Sequence, residues 1–478
     1  MATQQQIIAE ITREVVARLR AQLQPSSSPR IAQQAWGYGI FPTVDQAVDA
    51  AYEAQKRIAE LSLANRGRAI SIIRRICCDH AEELGRAELL ETKVGRLDHK
   101  IDKLRNIQYV LGVEAMRIDA RSDTSGLCVI ERAPWGVIGM VLPVTHSVPT
   151  MASNAINVIA AGNTAVFAPH PSASKVAGYA LQMFNRQIEK DLGIANIMTT
   201  VEDSSIKATE QLFHHPRIAL LCVTGGPAVV KAASRSGRRV IAAGPGNPPV
   251  LVDETADLDA AAKAIIAGAS FDNNLLCIGE KEVFVVESVA DAFVAAMRRA
   301  GAYELDAAAI EKLTKAAFTF EGGGEGCAQA HVNKEFVGKD TDFLAAAAGV
   351  RVPAGTALLF GETKEDHPFV EEEQMMPFIP VVRVRDVVAG IEASIRAEHG
   401  YRHTALIHSR NVDNVTRMAR ALNTTLFIQN APCYAALGAD GPGYLSYSIA
   451  TPTGEGVTTP LTFTRERQLT VGGALRFI

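Results

Sequence analysis

A lone cysteine, Cys277, lies in "FDNNLLCIGEKEVFVVE" (271–287), after two asparagines and before an apolar, strand-like run. A cysteine attacks as its thiolate, so a nucleophilic role needs a base or a charge that lowers its pKa. A hydrolase needs a second base to activate water. No histidine or carboxylate directly precedes Cys277, and a free cysteine is more often inert packing than a nucleophile. "VTGGP" (223–227) ends an apolar run, and its two glycines let backbone N–H groups approach a phosphate at a helix N-terminus. A plain tight turn between strand and helix is the alternative. "FAPHPSAS" (167–174), "AAGPGNPP" (242–249) and "GPGYLSYSIATPTGEG" (441–456) are further Gly/Pro-rich turns, and together they point to a nucleotide site. Among the 11 histidines, His146 in "PVTHSVP" and His403 in "HGYRHTAL" stand out because they sit in turns beside proline or glycine.

The elements that must position these residues alternate. Helical spacing runs over 45–62 and 67–92, and short apolar strands over 136–142 and 163–169 with a helix between them. "RIALLCVTGG" (217–226) reads as a strand entering a glycine turn, followed by a helix. A second series begins after residue 251: helix 257–269, strand 282–287, helix 289–301 and apolar runs at 378–384 and 404–408. This pattern is α/β, with parallel sheets wound by helices and ligands gathered at strand C-termini. "DTSGLCVIER" (123–132) and "LTFTRERQLTV" (461–471) alternate without an intervening helix and read as an antiparallel element. At the N-terminus, Ile7, Ile11, Val15 and Leu19 fall on one helical stripe, and "QPSSSPR" (24–30) reads as a linker. That stripe either packs back on its own protein or docks another one.

The 478 residues suffice for two or three domains, and 47% hydrophobic with 21% charged residues is a globular composition. A net charge of −4 gives no footprint for nucleic acid. No apolar run reaches membrane-spanning length, and the first 23 residues lack the apolar core of a secretory signal. Seven cysteines without a C-x-x-C pair fit a reducing cytosol, with zinc not expected.

Taken together, "PWGVIGMVLP", "AAGNTAVFAPHP", "VTGGP", "AAGPGNPPVLVD", "FDNNLLCIGEKEV", "EEEQMMPFIPVVRV" and "TPTGEGVTTPLTFTRERQ" resemble the aldehyde dehydrogenase superfamily, in the same order. In detail they are similar to its CoA-acylating branch, most of all the propionaldehyde dehydrogenases of bacterial microcompartments. The resemblance runs from about residue 40 to the C-terminus. It implies a Rossmann-like NAD-binding domain (36–250, with a β-hairpin insertion near 117–132) and an α/β catalytic domain (251–440). It also implies a return segment with an oligomerisation strand (441–478), a targeting helix (1–20) and a linker (21–35). The expected activity is NAD-dependent oxidation of a short aliphatic aldehyde, propionaldehyde, to its acyl-CoA, with coenzyme A as co-substrate. A homo-oligomer, dimer or tetramer, is implied, as is contact of residues 1–20 with a shell protein inside a cytoplasmic microcompartment. The rivals are a hydrolytic aldehyde dehydrogenase and a catalytically silent shell-associated protein.

Residue by residue, the resemblance implies Cys277 as nucleophile, Thr224, Gly225 and Gly226 at the cofactor pyrophosphate, and Glu373 at the nicotinamide ribose. Hydrolytic relatives carry a water-activating glutamate six residues before a proline; counting back from Pro249 gives Ala243. Their adenosine-ribose lysine is replaced by Ala168, with His170 as a partial substitute. Their oxyanion asparagine lies two residues from each of two prolines. Here Pro143 and Pro149 are six apart, so Thr145 or Ser147 is indicated, with Thr145 preferred. With the Cys277 N–H, that hydroxyl would complete an oxyanion site.

Overall fold

The computed structural model describes residues 37–321, 329–439 and 441–473, which fall in one compact unit, Trp36–Ile478. The amphipathic stripe at 1–20 and the linker at 21–35 lie outside the described residues. Two parallel sheets dominate. The first has six strands in the order Ile40–Phe41, Met198–Val201, Thr164–Pro169, Val137–Leu142, Ile218–Thr224 and Val240–Ala243. The second has seven, in the order Tyr303–Glu304, Leu359–Glu362, Phe378–Val384, Glu282–Val286, Pro249–Val252, Thr404–His408 and Leu426–Gln429. Every pairing in both sheets is parallel.

Strands covered on both faces need apolar residues at every position, not alternate ones. Val137–Leu142, Pro249–Val252 and Glu282–Val286 are buried throughout. Between the first two strands of the 136–169 region lies helix Ser147–Ala160, all 14 residues of which are buried. It is a central helix without a solvent face. Surface helices instead begin on side-chain caps: Ser205, Asp257 and Asp386 each accept a hydrogen bond from a first-turn N–H.

The expected helix over 67–92 is two helices, Leu63–Asp79 and Ala81–Thr92. They meet at His80, which leaves helical geometry at φ −108°, ψ 20°. A three-stranded antiparallel sheet joins Asp119–Asp123, Gly126–Pro134 and the late strand Thr464–Gly472. Nine residue pairs link the last two strands, although more than 300 residues of chain separate them.

The arrangement of the two large sheets creates the site. Val144–Ser147, His170 and the 224–226 turn all follow strands of the first sheet, at its C-terminal edge. Gly246, Cys277, Glu373 and His403 all precede strands of the second sheet, at its N-terminal edge. The segment 244–248 crosses directly from one sheet to the other.

Candidate active site

Cys277 is held by an unusual turn. Helix Leu258–Ser270 stops, and Asp272, Asn273 and Asn274 take φ of +50°, +57° and +62°. Three consecutive left-handed residues are costly for any L-residue with a side chain, and Asn and Asp tolerate them best. Such a turn persists only when its surroundings over-determine it. The Asp272 carboxylate accepts from the Arg96 N–H at 2.7 Å and pairs with the Lys103 ammonium, while the Asp272 N–H donates to His99 Nδ1 at 2.7 Å. Asn273 Nδ2 donates to the Gly338 carbonyl (3.0 Å) and Asp340 (2.8 Å). Asn274 Nδ2 donates to the Glu280 carbonyl at 2.9 Å, and its own carbonyl accepts from Lys281 Nζ at 2.8 Å. The asparagines before the cysteine therefore have a structural role: they carry the turn that presents Cys277.

Around Cys277 lie charges that are invisible in the local sequence pattern. Glu280, Lys281 and Glu282 are consecutive and fully buried. Glu280 and Lys281 precede the strand Glu282–Val286 and Glu282 opens it, and only the tertiary structure shows all three as interior. Burial pushes the Cys277 thiol up to about 12 and the Glu373 charge adds to this, while Lys281 and the N–H groups of Cys277 and Ile278 pull it down. Burial also raises the Glu373 carboxyl to about 7, against the opposing pull of Lys281 and the Gly246 N–H. Gly246 is a point of close approach: a Cβ there would meet the Cys277 carbonyl at 2.7 Å and the His403 ring at 2.8 Å. Cys277, Glu373 and His403 thus gather around one glycine. His403 is buried, with Nδ1 on Thr404 Oγ1 at 2.8 Å and Nε2 without a partner among the described residues; burial, then Lys281, lowers it to about 4.

Cys277 also opens to a cavity of about 570 Å³, whose wall includes His146, Phe271, Tyr434, Tyr447 and Lys103. His99 stacks on Phe271 at 4.4 Å, and Phe271 tilts against Tyr434 at 5.9 Å. Lys100, behind the wall, faces Glu88 at 3.6 Å, and Lys103, on it, pairs with Asp272, all four side chains buried. Of the 143–149 segment, His146 is the residue on this wall. The Thr145 carbonyl accepts from Lys100 (3.3 Å) and Lys103 (3.4 Å), and the Ser147 N–H donates to Glu88 at 3.0 Å. The Ser147 hydroxyl is sealed and has no partner among the described residues.

At the first sheet's edge, Gly226 is exposed and begins helix Pro227–Ser234 without a side-chain cap. Its φ is −67°, so glycine is not required by backbone geometry there; a Cβ would point into open space. What the bare turn offers is room for a phosphate against free helix N–H groups, so the residues fit a dinucleotide pyrophosphate. Thr224 Oγ1 is engaged with Ser448 Oγ at 2.7 Å. Thr224 pairs with Ala243, and Ala243 is buried at the start of the crossing that leads to Gly246. The turn and Cys277 are therefore joined through one short segment. Ala168 is buried in its strand, and exposed His170 uses Nδ1 to accept from the Ser172 N–H at 3.1 Å. His170 stands one strand further along the edge than the 143–149 segment.

Comparison with known proteins agrees with this architecture. The aldehyde dehydrogenase family model matches residues 27–306. An acetaldehyde dehydrogenase (acetylating) of Salmonella typhimurium is 43% identical over 477 residues, covering 99% of this chain and all of that protein. The solved propionaldehyde dehydrogenase of the Clostridium phytofermentans fucose-utilisation microcompartment superposes with a TM-score of 0.88 at 39% identity, over 92% of this chain and 99% of that one. A Rhodopseudomonas palustris propionaldehyde dehydrogenase, solved with bound CoA and an acylated cysteine, gives the same TM-score, identity and coverage.

Proposed function

The chain belongs to the aldehyde dehydrogenase family, and we propose that it oxidises a short aliphatic aldehyde, propionaldehyde in the first instance, to its acyl-CoA with NAD. The observation that carries this reading is Cys277 opening to the cavity; it is supported by Ala243, a buried methyl group at the position the resemblance gives to the water-activating glutamate of hydrolytic relatives. The acylated cysteine and bound CoA of the Rhodopseudomonas enzyme support the same chemistry.

Cys277 adds to the aldehyde carbonyl as the thiolate. Burial pushes the thiol up while Lys281 and the N–H groups of Cys277 and Ile278 favour the thiolate, which forms as the thiol gives its proton to water entering the cavity it opens to. NAD, when bound, supplies the hydride acceptor that turns the adduct into a thioester. The 224–226 turn would hold its pyrophosphate, Glu373 would hold its nicotinamide ribose, and His170 would serve the adenosine ribose. His403 is the base we assign to the incoming CoA thiol: its ring packs against Gly246 beside the Cys277 carbonyl, and its buried Nε2 has no partner among the described residues. Cys277 then leaves as the thiolate, which closes the cycle.

Without CoA, one NADH per active site should form in a burst, followed by slow turnover. Ala243→Glu should raise the CoA-independent rate, by up to the ~10²–10⁴-fold that general-base catalysis contributes. Rapid acid production by the unaltered protein without CoA would overturn the acylating reading. The same assay with NAD and NADP ranks the cofactors.

Two further assignments belong to this reading. The antiparallel sheet, with exposed Ile118 beside it and exposed Leu469 on its last strand, serves oligomerisation. Leu469→Glu should lower the mass seen by light scattering. Residues 1–20 dock a microcompartment shell protein, and deleting residues 1–24 should release an active enzyme from co-expressed shells.

A further inference from the structure

We propose that His146 is the side-chain donor to the oxyanion formed when Cys277 adds to an aldehyde, an assignment that rests on the activity proposed above. His146 and Cys277 share the wall of one cavity. Neither hydroxyl beside His146 offers an equal alternative. Thr145 is not on that wall and is anchored by its carbonyl to two lysines, while the Ser147 hydroxyl is sealed away from any partner among the described residues.

The segment is built to hold the ring still. Lys100 and Lys103 grip the Thr145 carbonyl, and Glu88 takes the Ser147 N–H. The His146 carbonyl accepts from both the N–H (3.0 Å) and the hydroxyl (2.7 Å) of Thr150. Its ring rests on Tyr447 with centroids 5.6 Å apart, and the Tyr447 hydroxyl donates to the Lys103 carbonyl at 3.0 Å. A donor fixed before the charge develops stabilises it without reorganisation.

The ring is also in the right state. Burial, followed by the positive charges of Lys103 and Lys100, outweighs Asp272 and keeps the imidazole neutral. A neutral ring carries one N–H. Nδ1 is shut off from solvent and partners, so Nε2 is the nitrogen left to face a cavity ligand. In the step itself the Cys277 S–C bond forms and the carbonyl π pair moves onto oxygen. That oxygen accepts the Nε2–H hydrogen bond with no proton transferred. The pair returns to the C=O bond as hydride leaves for the cofactor.

The test is the CoA-free NADH burst with propionaldehyde and NAD, read beside NAD binding and the rate of Cys277 alkylation by iodoacetamide. His146→Ala and His146→Phe should slow the burst about 10²–10³-fold, the cost of losing an oxyanion donor. NAD binding and alkylation should stay within about threefold, and His146→Asn, which restores an N–H donor, should recover at least about tenfold. A burst in His146→Phe within about threefold of the unaltered protein overturns the assignment, as does an equal loss of alkylation, which would mark a structural role. If the alanine variant does not fold, Asn and Phe decide: an Asn variant no faster than Phe overturns it. An unaltered protein with no burst for any aldehyde sinks the activity reading itself, and the assignment with it.

Discussion

Lys281 reaches back to Asn274 and donates to its carbonyl oxygen at 2.8 Å, so the buried ammonium braces the turn that presents Cys277. The same charge draws the Cys277 thiol down while burial and Glu373 push it up. Lys281→Met should therefore raise the thiol pKa and move the pH profile of iodoacetamide alkylation toward alkaline pH. At a pH below the pKa, a thiol that ionises one pH unit later reacts about tenfold more slowly. An unmoved profile would show that Lys281 braces the turn without tuning the thiol.

The left-handed turn predicts a difference between two substitutions at one position. Asn273→Ala and Asn273→Gly both lose the bonds to Gly338 and Asp340, costing on the order of 1–3 kcal/mol. Only alanine also bears the penalty of φ +57°. The alanine variant should be less stable than the glycine variant by about 1 kcal/mol. Thermal unfolding of the two side by side measures this, and equal midpoints would mean the backbone strain is absent.

His403→Ala should separate the two halves of the reaction. The CoA-free burst should stay within about threefold of the unaltered protein, while CoA-dependent turnover falls about 10²-fold. Stopped-flow burst and steady-state rates give the two numbers. Equal losses in both would remove His403 from the thiol-transfer step.

Glu280 should leave a mark on stability against pH. Its folded carboxyl is raised to about 7 by burial, from an ordinary value of 4.5. Between those values the unfolded chain has released a proton that the folded chain still holds. The contribution of Glu280 to stability is therefore full below pH 4.5, falls as pH rises toward 7, and is lost above it. The group accounts for a loss on the order of 3 kcal/mol across the window. Glu280→Gln should reduce the slope of denaturant-derived stability over that range; Glu373 and Glu282, also raised by burial, add to the slope that remains, while His403 and His408, lowered to about 4, oppose it. An unchanged slope would mean Glu280 titrates normally.

The sequence by itself determined the layered α/β plan and singled out Cys277 as the residue proposed to carry the chemistry. Strands such as Val137–Leu142, Ile218–Thr224 and Phe378–Val384 are legible because a doubly covered parallel strand is apolar at nearly every position; Thr224 and Arg383 are the polar exceptions in these three. Cys277, Ala243 and the 224–226 turn are legible because their motifs are local and ordered. Tertiary structure decided what surrounds them. Whether Glu280, Lys281 and Glu282 are solvated or interior depends on helices and loops far away in the chain, which no local pattern encodes. His146, Thr145 and Ser147 are neighbours that sequence alone cannot rank. Lys100, Lys103 and Glu88, from two earlier helices, clamp the backbone on either side of His146, and only that long-range clamp puts its ring on the cavity wall.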